Sequence, residues 1–359
     1  MSYSKENSLL RKRYQPHIEE RFIFQERDIT PLLLKQASSL TKEECDIVRS
    51  CYSDSGYENF YNFSEKQKIL PFVAHNLIHL ECDSELWLVT HNFYVSRNKQ
   101  IINLLEELFS SLDIFSCTSL TLTENLAAVL ASDACVGCFC SGDVDISADI
   151  NEIDQIIKLM NHFGFRSKDQ PETIGEYSGQ SMQFYKQDFL ENGFWINIIW
   201  LPVTRAFLVQ DKFCHRLNKH RKEAKIKPSS NIRILEDTSL LYFCALHISA
   251  GHYFTLSPGL RLYVDIDRIT RNCSIDWSKI LRWQQEDDAG LRISIVLFLC
   301  NRLFDTPIPK EIENRLTSDA RSLRLVNYLF NQDTKEIPND SLFKIYVYKL
   351  IKIILLNPK

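Results

Sequence analysis

One ten-residue segment constrains the fold of this chain more than any other, because it sets two acids among alternating apolar residues. It reads Ser141-Gly142-Asp143-Val144-Asp145-Ile146-Ser147-Ala148-Asp149-Ile150. Alternation with a period of two is typical of a β-strand that has one buried face. Side chains two positions apart lie on the same side of a strand, so Asp143 and Asp145 are predicted to share one face while Val144 and Ile146 face the core.

Two neighbouring carboxylates indicate a metal–nucleotide site. Like charges this close are costly unless a cation lies between them. Mg²⁺ favours a few carboxylates together with phosphate oxygens and water as its ligands. Gly142, directly before the acids, lets the backbone approach a bulky anion closely. The alternative is that both aspartates lie on the solvated face of an edge strand, where charges discourage aggregation.

The residues after the acids favour the metal–nucleotide interpretation. The segment 151–160 has apolar residues at 153, 156, 157 and 160, which form one face of a helix, and acids in its first turn. Gly164 follows as a predicted C-terminal cap. A strand with Gly-Asp-x-Asp, then a helix and a glycine, is a more specific signal than the two acids alone.

Composition narrows the class of protein. The 359 residues are 45% hydrophobic and 25% charged, which is typical of globular proteins, and the net charge of −4 gives no overall attraction to nucleic acid or anionic membranes. No apolar run is long enough to cross a bilayer, and the first residues lack a signal-peptide core. Eleven scattered cysteines in a chain of this length predict reduced thiols and a cytoplasmic location.

The pattern of elements predicts an α+β fold, with a small mixed sheet, flanking helices, and helical N-terminal and C-terminal parts. We place the boundaries at residues 1–115, 116–210 and 211–359. Residues 1–30 are predicted to be an arm or a first short helix, and helices are predicted over 240–250, 277–304 and 323–356. Within the middle part, 118–123 is predicted to be a strand and 124–132 a helix. The segments 182–185 and 195–200 are predicted to form a β-hairpin around Gly193, with Asn197 at the centre of its second strand.

Three further groups have two interpretations each. Cys135, Cys138 and Cys140 suit zinc, but a structural zinc site needs four ligands and there is no second cysteine pair, so a turn of buried small residues is favoured. The basic stretch 212–227 fits a triphosphate or an acidic substrate, although a solvated helix face is the simpler interpretation. His247 and His252 are predicted to be core residues rather than ligands.

In this order the features resemble the uncharacterised bacterial nucleotidyltransferase family of the polymerase-β-like superfamily, over roughly residues 30–315. The resemblance is carried by the 141–146 acid strand, the 153–164 helix–glycine unit, the 195–200 strand, and the segments 246–252, 260–266, 275–277 and 306–309.

The resemblance implies a nucleotidyltransferase-type sheet and transfer of a nucleoside monophosphate from a nucleoside triphosphate to a small-molecule, sugar-phosphate or peptide acceptor. It implies that Asp143 and Asp145 bind Mg²⁺ or Mn²⁺, and that Ser141 and Gly142 meet phosphate. Arg261 and Asp265 are expected to contact the nucleotide, although an internal ion pair would explain them equally well. Neither a membrane nor nucleic acid is expected as a partner.

Three departures from the family pattern accompany this resemblance. Thr123-Glu124-Asn125 stands where the family usually has Lys-Gly, and Phe139 stands where an arginine commonly precedes the first aspartate. Asn197 replaces the third carboxylate. An amide oxygen still contacts Mg²⁺, but it brings no charge and is far too weak a base to take a proton from an acceptor hydroxyl. These losses favour a second hypothesis, a degenerate member that binds nucleotide or a partner without turnover.

Overall fold

The computed structural model describes most of the chain between residues 23 and 318. The described residues are 23–24, 27–140, 142–167, 181–200, 216, 219–220, 225–226, 230–251, 254, 260–287, 289 and 292–318. The predictions for the N-terminal arm, for a helix over 323–356 and for most of the basic stretch 212–227 concern residues outside these ranges.

The described residues form helices around one main sheet, which confirms the predicted α+β class. The helices are α1 Thr30–Leu34, α2 Lys42–Lys66, α3 Leu70–His79, α4 Ser84–Ser110, α5 Glu124–Ala131, α6 Ile153–His162, α7 Asp237–Leu246, α8 Leu260–Asn272, α9 Trp277–Glu286, α10 Arg292–Phe304 and α11 Lys310–Ser318. The strands are β1 Ile23–Phe24, β2 Arg27–Asp28, β3 Thr121–Leu122, β4 Asp143–Ser147, β5 Arg166–Ser167, β6 Ser181–Lys186, β7 Phe194–Ile199, β8 Lys225–Ile226 and β9 Arg233–Ile234.

The main sheet is mixed, and the acid-bearing strand lies at its centre. Its seven described strands are ordered β5-β6-β7-β4-β3-β9-β8. β4 pairs with β7 in parallel and with β3 antiparallel, and β3 pairs with β9 in parallel. The edge-strand interpretation of the acid segment is therefore wrong, because β4 has a hydrogen-bonded neighbour on each side.

Local sequence accounts for several of these elements. α2 begins at a reciprocal capping box, in which Thr41 and Glu44 each bond the other's backbone N–H. α6 ends at His162, and the predicted Gly164 follows the C-cap residue Phe163 with a φ of +77°, which suits a residue without a Cβ. The predicted hairpin is confirmed as β6 and β7, which pair antiparallel, and Gly193 enters β7 with a φ of +73°.

Three predicted elements differ from those observed. Of the strand predicted over 118–123, only the two residues of β3 form a strand. The backbone N–H groups of Thr118 and Ser119 donate to the Glu152 carboxylate instead of extending the ladder. The helix predicted over 240–250 gives way at His247 to a π-helical turn. The helix predicted from 277 to 304 is observed as two helices, α9 and α10, and the described residues between them, Asp287 and Ala289, are not helical.

The buried apolar residues join these elements into one contiguous core that extends from Ile29 to Ile312. Val144 and Ile146 of β4 and Ile196 and Ile198 of β7 point into it. The predicted domain boundaries at 115 and 210 stay predictions. In the described residues, no helix has both the length and the apolar character that crossing a membrane requires.

Candidate functional site

The acid pair lies on one face of the central strand, as its sequence pattern predicts. Along β4 the buried residues are Val144, Ile146 and Ser147, whereas Asp143 and Asp145 are partly exposed. Period-two alternation and burial therefore agree, and both carboxylates emerge on the same side of the sheet.

Asn197 connects the two carboxylates. The parallel pairing of β4 with β7 sets Asp145 opposite Asn197. The Asn197 Nδ2 group donates to Asp143 Oδ2 at 2.8 Å and to Asp145 Oδ1 at 2.9 Å. The Asn197 Oδ1 atom is buried and accepts no hydrogen bond in the described part of the chain. One amide nitrogen thus serves both acids, while the amide oxygen has no partner.

Glu124 is a third acid beside the pair, which sequence reasoning did not assign to the site. The Thr123 N–H and hydroxyl both donate to the Asp145 carbonyl oxygen, at 3.0 and 3.1 Å. This contact places the next residue, the first of α5, close to Asp145. Glu124 is only 4% exposed and adopts a left-handed backbone with a φ of 56°. Such a φ is costly outside glycine, and it occurs where the family pattern has Lys-Gly.

The acids affect one another's protonation. Burial, and then the negative charge of Asp143, raises the pKa of Asp145 to about 6, although the Asn197 hydrogen bond and the Arg261 charge oppose this rise. Burial raises the pKa of Glu124 well above its usual range, and the charges of Asp145 and Asp143 add to the effect. A site that disfavours the charged form of its carboxylates is one that a bound cation would stabilise.

His247 contacts Glu124 from the end of α7. Its Nδ1 atom lies 3.0 Å from Glu124 Oε1, and its ring is partly exposed. His247 is thus a mostly buried histidine with a partner, and its assignment as a core residue rather than a ligand stays a prediction, while His252 lies outside the described residues. The histidine sits where α7 passes into the π-helical turn 247–251, a local irregularity of a kind that is frequent at functional sites.

Two arginines of α8, Arg261 and Arg268, place positive charge close to the buried acids. The Arg261 charge lowers the pKa values of Asp145, Glu124 and Asp265, although burial raises each of them on balance. Asp265 is 5% exposed, and burial raises its pKa to about 7 against the opposing charges of Arg268 and Arg261. The ion pair of Asp265 is formed with Arg268, at 3.5 Å. Arg261 thus lies near the acids, and the predicted contacts of Arg261 and Asp265 with a nucleotide stay predictions.

The two predicted phosphate contacts have different outcomes. Ser141 lies outside the described residues. Gly142 is exposed, and a Cβ added to it would meet no atom within 4 Å. The space beside Gly142 is open in the described residues, but the glycine is not needed there to avoid a clash within the chain.

The donor set suits a hard divalent cation. Asp143 and Asp145 offer carboxylate oxygens, and rotation of the Asn197 amide would exchange its nitrogen for the partnerless oxygen. Oxygen ligands of this kind are those that Mg²⁺ and Mn²⁺ prefer. Without a cation, the orientation with the amide nitrogen toward the acids is favoured. The opposite orientation would point the negative end of the amide dipole at the two carboxylates.

Paired acids thus lie on the central strand of a mixed sheet, with further buried acids and an arginine beside them. A family described as an uncharacterised nucleotidyltransferase matches residues 53–305, which are 253 of the 359 residues. The chain belongs to this family of nucleotidyltransferases. Neither the curated proteins nor the solved structures gave a match to this chain.

Glu124 and His247 were missed because each was considered within its own helix. A usable signal for Glu124 was present, since an acid stands directly after a strand and begins a helix where the family pattern has Lys-Gly. No comparable signal identified His247. Its contact with Glu124 joins residues 123 positions apart, and only the packing of α7 against α5 brings them together.

Proposed function

We propose that this protein is a Mg²⁺-dependent nucleotidyltransferase that moves a nucleoside monophosphate from a nucleoside triphosphate to a small-molecule, sugar-phosphate or peptide acceptor. The observation that carries the proposal is the pair Asp143 and Asp145 on one face of the central strand, together with the family membership. Mn²⁺ has the same ligand preferences and is the natural substitute.

Asp143 and Asp145 would hold the cation, and Asn197 would contribute its amide oxygen after rotation. When bound, Mg²⁺ would activate the acceptor oxygen and neutralise the charge that builds on the leaving pyrophosphate. Arg261 supplies positive charge beside the acids and is our candidate for contact with the triphosphate. The acids and Asn197 would position the reactants. Positioning, together with electrostatic stabilisation, accounts for most of the rate enhancement in phosphoryl transfer.

Glu124 is our candidate for the acid that Asn197 fails to supply. It is buried beside Asp145, its pKa is raised well above the usual range, and His247 contacts it. A carboxylate with a raised pKa is a better proton acceptor near neutral pH than an ordinary one. Glu124 would therefore take the acceptor proton, and it would do so from the end of β3 rather than from β7.

A second function is favoured by one observation. The Asn197 amide occupies both carboxylates with hydrogen bonds, and so already satisfies the acids that would otherwise require a cation. This arrangement suits a degenerate family member that binds nucleotide or a partner protein without turnover. The two functions differ in whether pyrophosphate is released.

The experiment that tests the proposal incubates the full chain with α-labelled nucleoside triphosphates, Mg²⁺ or Mn²⁺, and panels of sugar phosphates, small alcohols and peptides. Metal-dependent transfer of label with release of pyrophosphate is expected, and Asp143→Ala should abolish both. Nucleotide binding without release in wild type, unchanged by Asp143→Ala, would contradict the proposal. Nucleotide binding that is lost in Asp143→Ala, again without release, would support the degenerate alternative.

A further inference from the structure

A second cluster of metal-ligating side chains lies away from the acids, where α3 and α4 meet the segment 135–138. His75 comes from α3, His91 from α4, and Cys135 from the start of the short 3₁₀ turn Val136–Cys138. One ligand atom from each of the three lies within 4.8 Å of the other two. Residues 16 to 60 positions apart in sequence therefore converge on one point.

The distances suit tetrahedral coordination. Cys135 Sγ lies 3.4 Å from His91 Nε2, and the His75 and His91 ring centroids are 5.2 Å apart. Zn²⁺ bonds to sulfur at about 2.3 Å and to nitrogen at about 2.0–2.1 Å, so a tetrahedral site holds sulfur and nitrogen about 3.6 Å apart. The Cys135–His91 pair is already at that separation.

The sulfur of Cys135 is surrounded by polar groups. It contacts His91 Nε2, His75, the Cys138 thiol and the Gly137 backbone N–H. The thiolate is the form of cysteine that binds metal. Cys138 is buried and directly contacts Cys135, so a second sulfur lies next to the three-ligand group.

The surrounding packing holds the cluster in place. A Cβ on Gly137 would lie 2.5 Å from His91 Cε1, so only glycine permits this approach of the backbone to the ring. Asn98 Nδ2 donates to the carbonyl oxygens of Val136 and Phe139, at 2.6 and 2.8 Å, and so fixes the turn against α4. The His91 Nδ1 atom is buried and has no hydrogen-bond partner among the described residues.

We propose that Cys135, Cys138, His75 and His91 form a structural Zn²⁺ site. Two sulfurs and two imidazole nitrogens are a typical donor set for structural zinc, and they differ from the oxygen ligands of the acid pair, which suit Mg²⁺. The missing second cysteine pair, which made a zinc site the less favoured interpretation of the sequence, is supplied by two histidines from neighbouring helices.

The zinc would tie the segment that leads into β4 to α3 and α4. Cys138 precedes Asp143 by five residues. The zinc site would therefore hold the segment before the acid strand in place without adding a ligand to the acid pair. The proposal stands whether or not the protein transfers nucleotides, because it depends on different residues and a different metal.

The first experiment measures zinc in the full chain, purified in reducing buffer and dialysed against Zn²⁺ and then against metal-free buffer, by inductively coupled plasma mass spectrometry. One zinc per chain is expected in wild type, with at least a ten-fold loss of retained zinc in Cys135→Ser and in His91→Ala. Matched controls are Cys45→Ser and His162→Asn, which lie outside the cluster and should retain one zinc. Wild type that retains no zinc, or Cys135→Ser that retains it fully, would overturn the proposal.

The second experiment has a first readout in wild type that depends on no variant. Replacing zinc with Co²⁺ in wild type should give the intense visible bands of a tetrahedral site and a near-ultraviolet sulfur-to-cobalt charge-transfer band. Cys138→Ser should weaken the charge-transfer band by about half, because one of two sulfurs is lost. Octahedral cobalt bands in wild type, or a Cys135–Cys138 disulfide with no metal uptake after its reduction, would overturn the proposal.

Discussion

Asn197 donates its amide hydrogens to both aspartates of the central strand, so it competes with a cation for the same oxygens. The resemblance described above implies a carboxylate at this position, so the amide is a change from a charged to a neutral group within the acid site. Replacing Asn197 with aspartate therefore tests how the amide affects cation binding.

We predict that Asn197→Asp binds Mn²⁺ at least about ten-fold more tightly than wild type, because a third carboxylate adds charge to an oxygen site. Isothermal titration calorimetry with Mn²⁺ measures this change. Asn192→Asp, in the exposed loop between β6 and β7, is the matched control and should bind as wild type does. Equal affinity in wild type and Asn197→Asp would mean that the cation does not lie between these strands.

Glu124 is the residue for which the structure changes the interpretation most. We predict that Glu124→Gln lowers the rate of nucleotide transfer by roughly 10²–10⁴-fold, the range typical of a lost general base. The measurement is kcat at saturating triphosphate and metal. Glu107→Gln, on an exposed part of α4, is the control. A Glu124→Gln variant with an unchanged kcat would exclude Glu124 from proton transfer.

At the scale of elements, the turn Val136–Cys138 is held by close packing against α4. We predict that Gly137→Ala lowers the free energy of unfolding by roughly 1–3 kcal/mol, because the added Cβ would lie 2.5 Å from His91 Cε1 and 2.8 Å from Val95 Cγ2. Thermal or urea unfolding measures the loss. Gly142→Ala, whose Cβ would meet nothing within 4 Å, is the control, and equal losses in the two variants would contradict the packing argument.

Elements that depend on local pattern were predictable from the sequence, whereas contacts between distant elements were not. β4, α6 with its Gly164 cap, and the β6–β7 hairpin follow from alternation, helical periodicity and turn residues. The shortened β3 could not be predicted, because it depends on Glu152 capturing two N–H groups more than thirty residues away.

The candidate site divides in the same way. Asp143 and Asp145 are two positions apart, so a strand pattern alone predicts that they share a face. Glu124 and His247 join the pair only through the β3–β4 register and the packing of α7 on α5. His75 and His91 meet Cys135 only because α3, α4 and the turn pack together. Single-sequence patterns carry no information about such convergence.

At the scale of the whole molecule, the site gathers buried and half-buried acids beside the core. Glu124, Asp145 and Asp265 all have raised pKa values, chiefly because of burial. An acid whose pKa is higher in the folded than in the unfolded protein binds more protons when folded. Its contribution to stability is therefore lost as the pH rises from its unfolded pKa to its folded pKa.

We predict that the metal-free protein loses stability between about pH 4 and pH 7, and that Asp265→Asn reduces this loss. The pKa of Asp265 rises from an ordinary 3.8 to about 7, so the lost stability amounts to a few kcal/mol at most. Urea unfolding at several pH values, with EDTA present, measures it. Asp113→Asn, an exposed acid, is the control. Identical pH profiles for wild type and Asp265→Asn would contradict this account of the buried charge.

Asp143 and Asp145 are proposed to hold a divalent cation jointly beneath a triphosphate. The most direct measurement is the affinity of the full chain for a non-hydrolysable nucleoside triphosphate, by calorimetry with and without Mn²⁺, in wild type and in the double variant Asp143→Asn/Asp145→Asn. We predict at least about ten-fold tighter binding with Mn²⁺ in wild type and no effect of Mn²⁺ in the double variant. Triphosphate affinity that is the same with and without Mn²⁺ in wild type, or a Mn²⁺ effect that persists in the double variant, would contradict the claim.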